Sequence, residues 1–163
     1  MNKDIEIQFG VKLKNVKSEE INFKEPDSAL IDFFNDDNLK INIGLNFSFN
    51  LAKELLGCHI TISYEYVSDS DEVIFKLLDY KGVFEFEVHN LAKIVSVAEN
   101  GSTVFPNHLL AIVTGVSVST SRGIIIAKTA GSFINKFYLP ILHPDDLVKN
   151  FQNNLEAQSK QTL

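Results

Sequence analysis

One cysteine, one arginine, one methionine and no tryptophan stand among the 163 residues. The lone Cys58 excludes an internal disulfide and any cysteine-rich metal site. The lone Arg122, in a chain of net charge −6, makes a poor tracker of phosphates, so no nucleic-acid partner is expected. The acidity is lopsided: −7 over residues 1–80 and +1 over residues 81–163. Such a half can draw a basic partner or simply be a solvated face. No apolar segment precedes the first patterned residues, so a secretory signal is not expected and the expected compartment is the cytoplasm. The apolar core Leu109–Val118 covers ten residues, against the roughly 20 that a membrane span needs, so membrane insertion is not expected.

Charge itself is missing from Asn100 to Ser121, 22 residues in a chain that is 22% charged. A surface helix normally shows water one charged face. An uncharged element this long is therefore a core element or one that another subunit covers.

The rest of the chain has strong patterning. Ile5, Ile7, Phe9, Val11 and Leu13 alternate with polar or small residues, as a half-buried strand requires. A longer alternation runs from Leu39 to Leu51, and a third joins Ile60, Ile62, Tyr64 and Tyr66. The fourth begins at Val73, Phe75 and Leu77 and ends at Phe84, Phe86 and Val88; its parity changes near Asp79–Gly82, which predicts a bulge at Gly82. Short turns and period two predict an antiparallel sheet with one dry face. Glu19–Asp37, with Pro26 and many charges, reads as a crossover between strands one and two. The fold class is α+β.

The uncharged stretch is open to two readings. Val, Ile and Thr favour a strand, whereas Pro106-Asn107 suits a helix start and Leu109, Ile112, Val113 and Val116 fall at helical spacing. A helix over about 107–121, stopped by Gly123, is the favoured one. Pro144-Asp145-Asp146 predicts a second helix over about 144–156, with Leu147, Val148, Phe151 and Leu155 on one face. One domain over 1–156 and a frayed polar tail over 157–163 complete the organisation.

Chemistry is hard to find. Gly123 to Thr129 lacks the second glycine of a phosphate-binding loop. His59, His89, His108 and His143 are scattered singly, with no metal-ligand spacing. Cys58 and His59, as neighbours on a strand, face opposite sides of the sheet. No catalytic constellation survives, and neither an enzyme nor a cofactor is expected.

Three segments, followed by a fourth, resemble the SecB family of export chaperones. Val16–Pro26 is similar to the family's first-strand region with its Phe-x-x-Pro ending, and Val73–Phe86 to its fourth strand. Phe105-Pro106-Asn107-His108-Leu109-Leu110 with Ser121-Arg122-Gly123 is similar to its long helix, and Leu139-Pro140 to Leu147 to the loop before its second helix. The resemblance implies a four-stranded antiparallel sheet with two helices, assembled as a dimer of dimers, and ATP-independent holdase binding of unfolded or export-competent polypeptides. It places Phe33, Phe34, Phe137, Tyr138, Leu139, Ile141, Leu142, Leu147 and Phe151 along a peptide-binding groove. It places Leu109, Ile112, Val113 and Val116 between subunits, and Glu20 among the acids that contact the SecA motor ATPase. Lys24 and Leu77 stand where the family's other acids would be, and the segment between Gly123 and Leu139 is longer than the family's loop. Partnership with SecA is therefore in question. A SecB-fold adaptor dedicated to one partner, such as an antitoxin, is the alternative.

Overall fold

The computed structural model describes residues 10–98, 101 and 103–161. Of the first alternating segment, Ile5, Ile7 and Phe9 lie outside the described residues. Four long strands form one antiparallel sheet: β1 (Val11–Phe23), β2 (Leu39–Asn50), β3 (Leu55–Val67) and β4 (Val73–Val88). Their order is β1-β4-β3-β2, so the crossover carries the chain from one edge of the sheet to the other. A short helix, α1 (Ser28–Asp32), lies in that crossover, its first turn capped by the Asp27 carboxylate accepting from Leu30 N–H at 2.8 Å. After β4 come α2 (Leu91–Ile94), a two-stranded ribbon of β5 (Ser96–Val97) and β6 (Thr103–Val104), and then the helices α3 (Asn107–Lys128) and α4 (Pro144–Gln161).

β1 continues to Phe23, past Glu19 where the crossover was expected to begin. Two bulges hide its period. Leu13 faces Phe86 and Asn15 faces Glu85, leaving Lys14 over; Ser18 faces Gly82 and Glu20 faces Lys81, leaving Glu19 over. Each extra residue flips the alternation. The expected bulge in β4 is also misplaced. Tyr64 faces Leu78 and Glu65 faces Lys76, so the extra residue is Leu77, and the parity changes there rather than at Gly82. Gly82 has a different reason to be glycine. A Cβ at this position would lie 2.5 Å from the hydroxyl of Tyr80, whose ring crosses this part of the dry face.

α3 also runs beyond its expected end. Gly123 sits inside the helix rather than stopping it, and α3 continues to Lys128. A helical glycine costs roughly 1 kcal/mol relative to alanine, and the continued burial of Ile125 offsets it. Leu109, Leu110, Val113, Val118 and Ile125 pack with Leu56, Ile60, Tyr64, Tyr80, Phe84 and Phe86 of the sheet into one core. With Ile124 to Ile126 included, α3 reaches a mean hydropathy of 1.7, apolar and long enough to cross a membrane by composition alone. Here much of one of its faces is buried against the sheet. Gly115 brings α4 close, since a Cβ there would lie 3.1 Å from Pro144. α4 has Asp145 and Asp146 in its first turn and extends to Gln161, through part of the expected tail. Gln, Glu, Lys and Ala are good helix formers, and no Gly or Pro interrupts them.

Candidate functional site

β2 is an edge strand, and its apolar residues are half-buried or, at Phe49, exposed, whereas most of those of β3 and of β4 from Leu77 onward are buried. The difference leaves an open trough between β2 and α4. One cleft of about 400 Å³ is lined by Ile43, Leu45, Leu147 and Phe151 among others. It shares Asn46, Phe151 and Leu155 with a second of about 560 Å³, which adds Phe47, Phe49 and Phe105. Phe47 meets Phe151 edge-on at 5.1 Å between ring centres, and Phe49 meets Phe105 in the same way at 5.1 Å.

At the other end of β2, Leu39 pairs with Tyr66, and Tyr66 belongs to an aromatic nest. Phe34 stacks on Tyr66 at 4.5 Å and touches Phe133 at 5.1 Å and Phe137 at 5.2 Å. Polar ties hold the nest, among them the Asn35 N–H donating to the Tyr66 hydroxyl at 3.3 Å. The Tyr66 hydroxyl donates to the Phe33 carbonyl at 3.4 Å, and both Glu25 carboxylate oxygens lie 3.1 Å from Phe133 N–H, which donates to them. From nest to clefts, Leu39 to Phe49, β2 spans roughly 33 Å, room for about ten extended residues.

The loop between α3 and α4 joins the two regions. The Arg122 guanidinium donates from Nε to the Leu139 carbonyl (3.0 Å) and from Nη2 to the Pro140 carbonyl (2.7 Å), pinning the loop to α3. This fork anchors Leu139 in the core at 3% exposure and leaves Tyr138 and Ile141 outward at 61% and 94%. Phe33 is 82% exposed.

The expected groove residues therefore divide. Phe33, Tyr138 and Ile141 are exposed, and Phe34, Phe137, Leu142, Leu147 and Phe151 are half-buried beside them. Leu139 is core, because Arg122 holds its backbone inward. The interface set divides too. Leu109 and Val113 are fully buried in the chain's own core, so no second subunit is needed to cover them. Ile112 and Val116 are 45% and 39% exposed at the margin of that buried face of α3, in line with Ile126. Sequence reasoning missed Phe47, Phe49, Phe105 and Phe133. Phe47 and Phe49 read only as dry-face residues, since alternation does not say which strand forms an edge.

Glu20 is engaged within the chain. Its carboxylate meets Lys81 Nζ at 2.7 Å and accepts from Asn22 at 2.7 Å, and the hydrogen bond and charge of Lys81 hold its pKa below the ordinary value. His59 shares a hydrogen bond of 2.9 Å with Ser48 on the wet face. Burial pushes the Cys58 thiol up to about 11, despite the Ser117 and Thr114 hydroxyls beside it, and keeps it protonated at neutral pH. Among the described residues, no three His, Cys, Asp or Glu side chains gather as metal ligands would.

No protein-family model matches the chain, and no curated protein matches it. Among solved structures, the chain is similar to a SecB-like chaperone of Mycobacterium tuberculosis in complex with a ChAD peptide from an antitoxin. The two share 11% identity at a TM-score of 0.47, over 81% of this chain and 89% of that one. The chain carries the architecture that the resemblance implies: an α+β fold with a four-stranded antiparallel sheet and two long helices.

Proposed function

We propose that this chain is a SecB-like holdase, which binds unfolded segments of other polypeptides without nucleotide and works in the cytoplasm as a homo-oligomer. The observation that carries the reading is the trough with its edge strand and half-open aromatic nest, together with Phe33 exposed on the crossover and Tyr138 and Ile141 exposed on the α3–α4 loop. An unfolded chain brings apolar side chains and unpaired backbone groups. The trough offers the first roughly 25 cal/mol per Å² of buried apolar surface, and the edge of β2 offers the second a hydrogen-bonding partner. Such contacts read extended conformation and hydrophobicity more than sequence. Several troughs on one oligomer would add avidity to weak individual sites, and the exposed stripe of Ile112, Val116 and Ile126 is the face of α3 that a sister subunit would cover.

The test is a titration, free of nucleotide, of a labelled and permanently unfolded polypeptide, read by fluorescence anisotropy. Saturable binding, displaced by unrelated unfolded chains but not by their folded forms, is the expected result. Binding to one partner alone would replace the holdase with a dedicated adaptor, and no binding would overturn both.

A further inference from the structure

The aromatic nest already holds a cation. Lys136 Nζ lies 4.0 Å from the centre of the Phe133 ring, 4.8 Å from that of Phe137 and 5.6 Å from that of Phe34. Two of these rings flank Lys136 in its own turn and the third comes from the crossover, and each presents its negative face to the charge. Glu25, tied to Phe133 N–H by both oxygens, adds negative potential at the same corner. No Lys136 ion pair occurs among the described residues, and the side chain is exposed. It can therefore leave the rings for water without breaking a salt bridge or opening a core cavity.

We infer that these three rings form a cation-receiving pocket, which Lys136 fills in the resting chain and which a lysine or arginine side chain of a bound polypeptide takes over. The occupant rests on the polypeptide-binding reading; the pocket does not. Exchange of one cation for another is nearly balanced, so a basic residue gains little in the native protein. Lys136 is then a built-in competitor that blunts selection for basic segments and keeps the head of the trough covered while it is empty.

The experiment compares the native protein with Lys136→Ala, whose fold is checked by circular dichroism. In the first arm, tetramethylammonium chloride is titrated while the Phe133 and Phe137 ring resonances are followed, with sodium chloride as the control. Saturable shifts in Lys136→Ala, weakened by adding Phe133→Leu and absent from the native protein, are expected. Their absence in Lys136→Ala would overturn the pocket. In the second arm, two apolar peptides differ only in lysine or norleucine at one position. The preference for the lysine peptide should rise about three- to thirty-fold in Lys136→Ala. An unchanged preference would overturn the exchange. If neither peptide binds either protein, the holdase reading and the exchange fall together, and the first arm alone decides the pocket.

Discussion

Replacing Arg122 by alanine removes the only arginine in the chain and both bonds that hold the Leu139–Pro140 backbone against α3. Hydrogen bonds from a charged donor contribute about 1.5–3 kcal/mol each, and exposure lowers that figure. The bond to Leu139 is half-buried and the bond to Pro140 exposed, so the pair should contribute about 2–3 kcal/mol. For a chain of this size the loss should lower Tm by roughly 4–12 °C. Lysine keeps the charge but cannot present two donors in a fork. Arg122→Lys should therefore lose about half as much. Urea denaturation at fixed protein concentration, with the slope compared as well as the midpoint, measures both variants. Because the same fork fixes Leu139 inward and Ile141 outward, Arg122→Ala should also weaken binding of unfolded chains more than its stability loss explains. Stability within 0.5 kcal/mol of the native protein, or a lysine variant as stable as the native one, would refute the reasoning.

Two further outcomes follow from packing. Gly82→Ala places a Cβ 2.5 Å from the Tyr80 hydroxyl and 3.1 Å from the Phe84 ring, and Tyr80, 1% exposed, has nowhere to withdraw. Overpacking should cost about 1–3 kcal/mol. Tyr80→Phe, which removes a buried hydroxyl with no hydrogen-bond partner among the described residues, should be nearly neutral alone and recover much of the loss in the double variant; strictly additive effects would contradict the clash. Val116→Asp puts a carboxylate on the exposed stripe of α3, so light scattering should register a smaller assembly while circular dichroism keeps its helical signal. An unchanged mass would remove that stripe from the interface.

What could be read from the residues tracks how cleanly each element repeats. β2 and β3 alternate without interruption, and their places follow from side-chain period alone. β1 does not alternate, because Lys14 and Glu19 are each an extra residue against β4, and a bulge is a relation between two strands that one strand's sequence does not display. Gly123 shows the limit of local signals: a glycine after a uniform stretch resembles a stop, yet the buried Ile125 continues the helix beyond it. The site was legible where exposure follows from the loop, as at Tyr138 and Ile141. It was not legible at Leu139, whose burial depends on a guanidinium 17 residues earlier in the chain. Phe133 and Lys136 lie in the segment that the family resemblance does not account for, and only the fold brings them to Phe34. Leu109, Ile112, Val113 and Val116 fall within one arc of about 100° on α3, and only the packed sheet tells where the buried part of that arc ends.

The measurement that bears most directly on the account is the nucleotide-free anisotropy titration of an unfolded polypeptide, run on the native protein beside Ile141→Asp. Ile141 is 94% exposed, so the substitution leaves the fold intact and places a charge among the outward apolar side chains of the α3–α4 loop. Saturable binding by the native protein and a loss of about tenfold or more in the variant is the predicted result. Equal affinity in both proteins, or no binding by either, would contradict it.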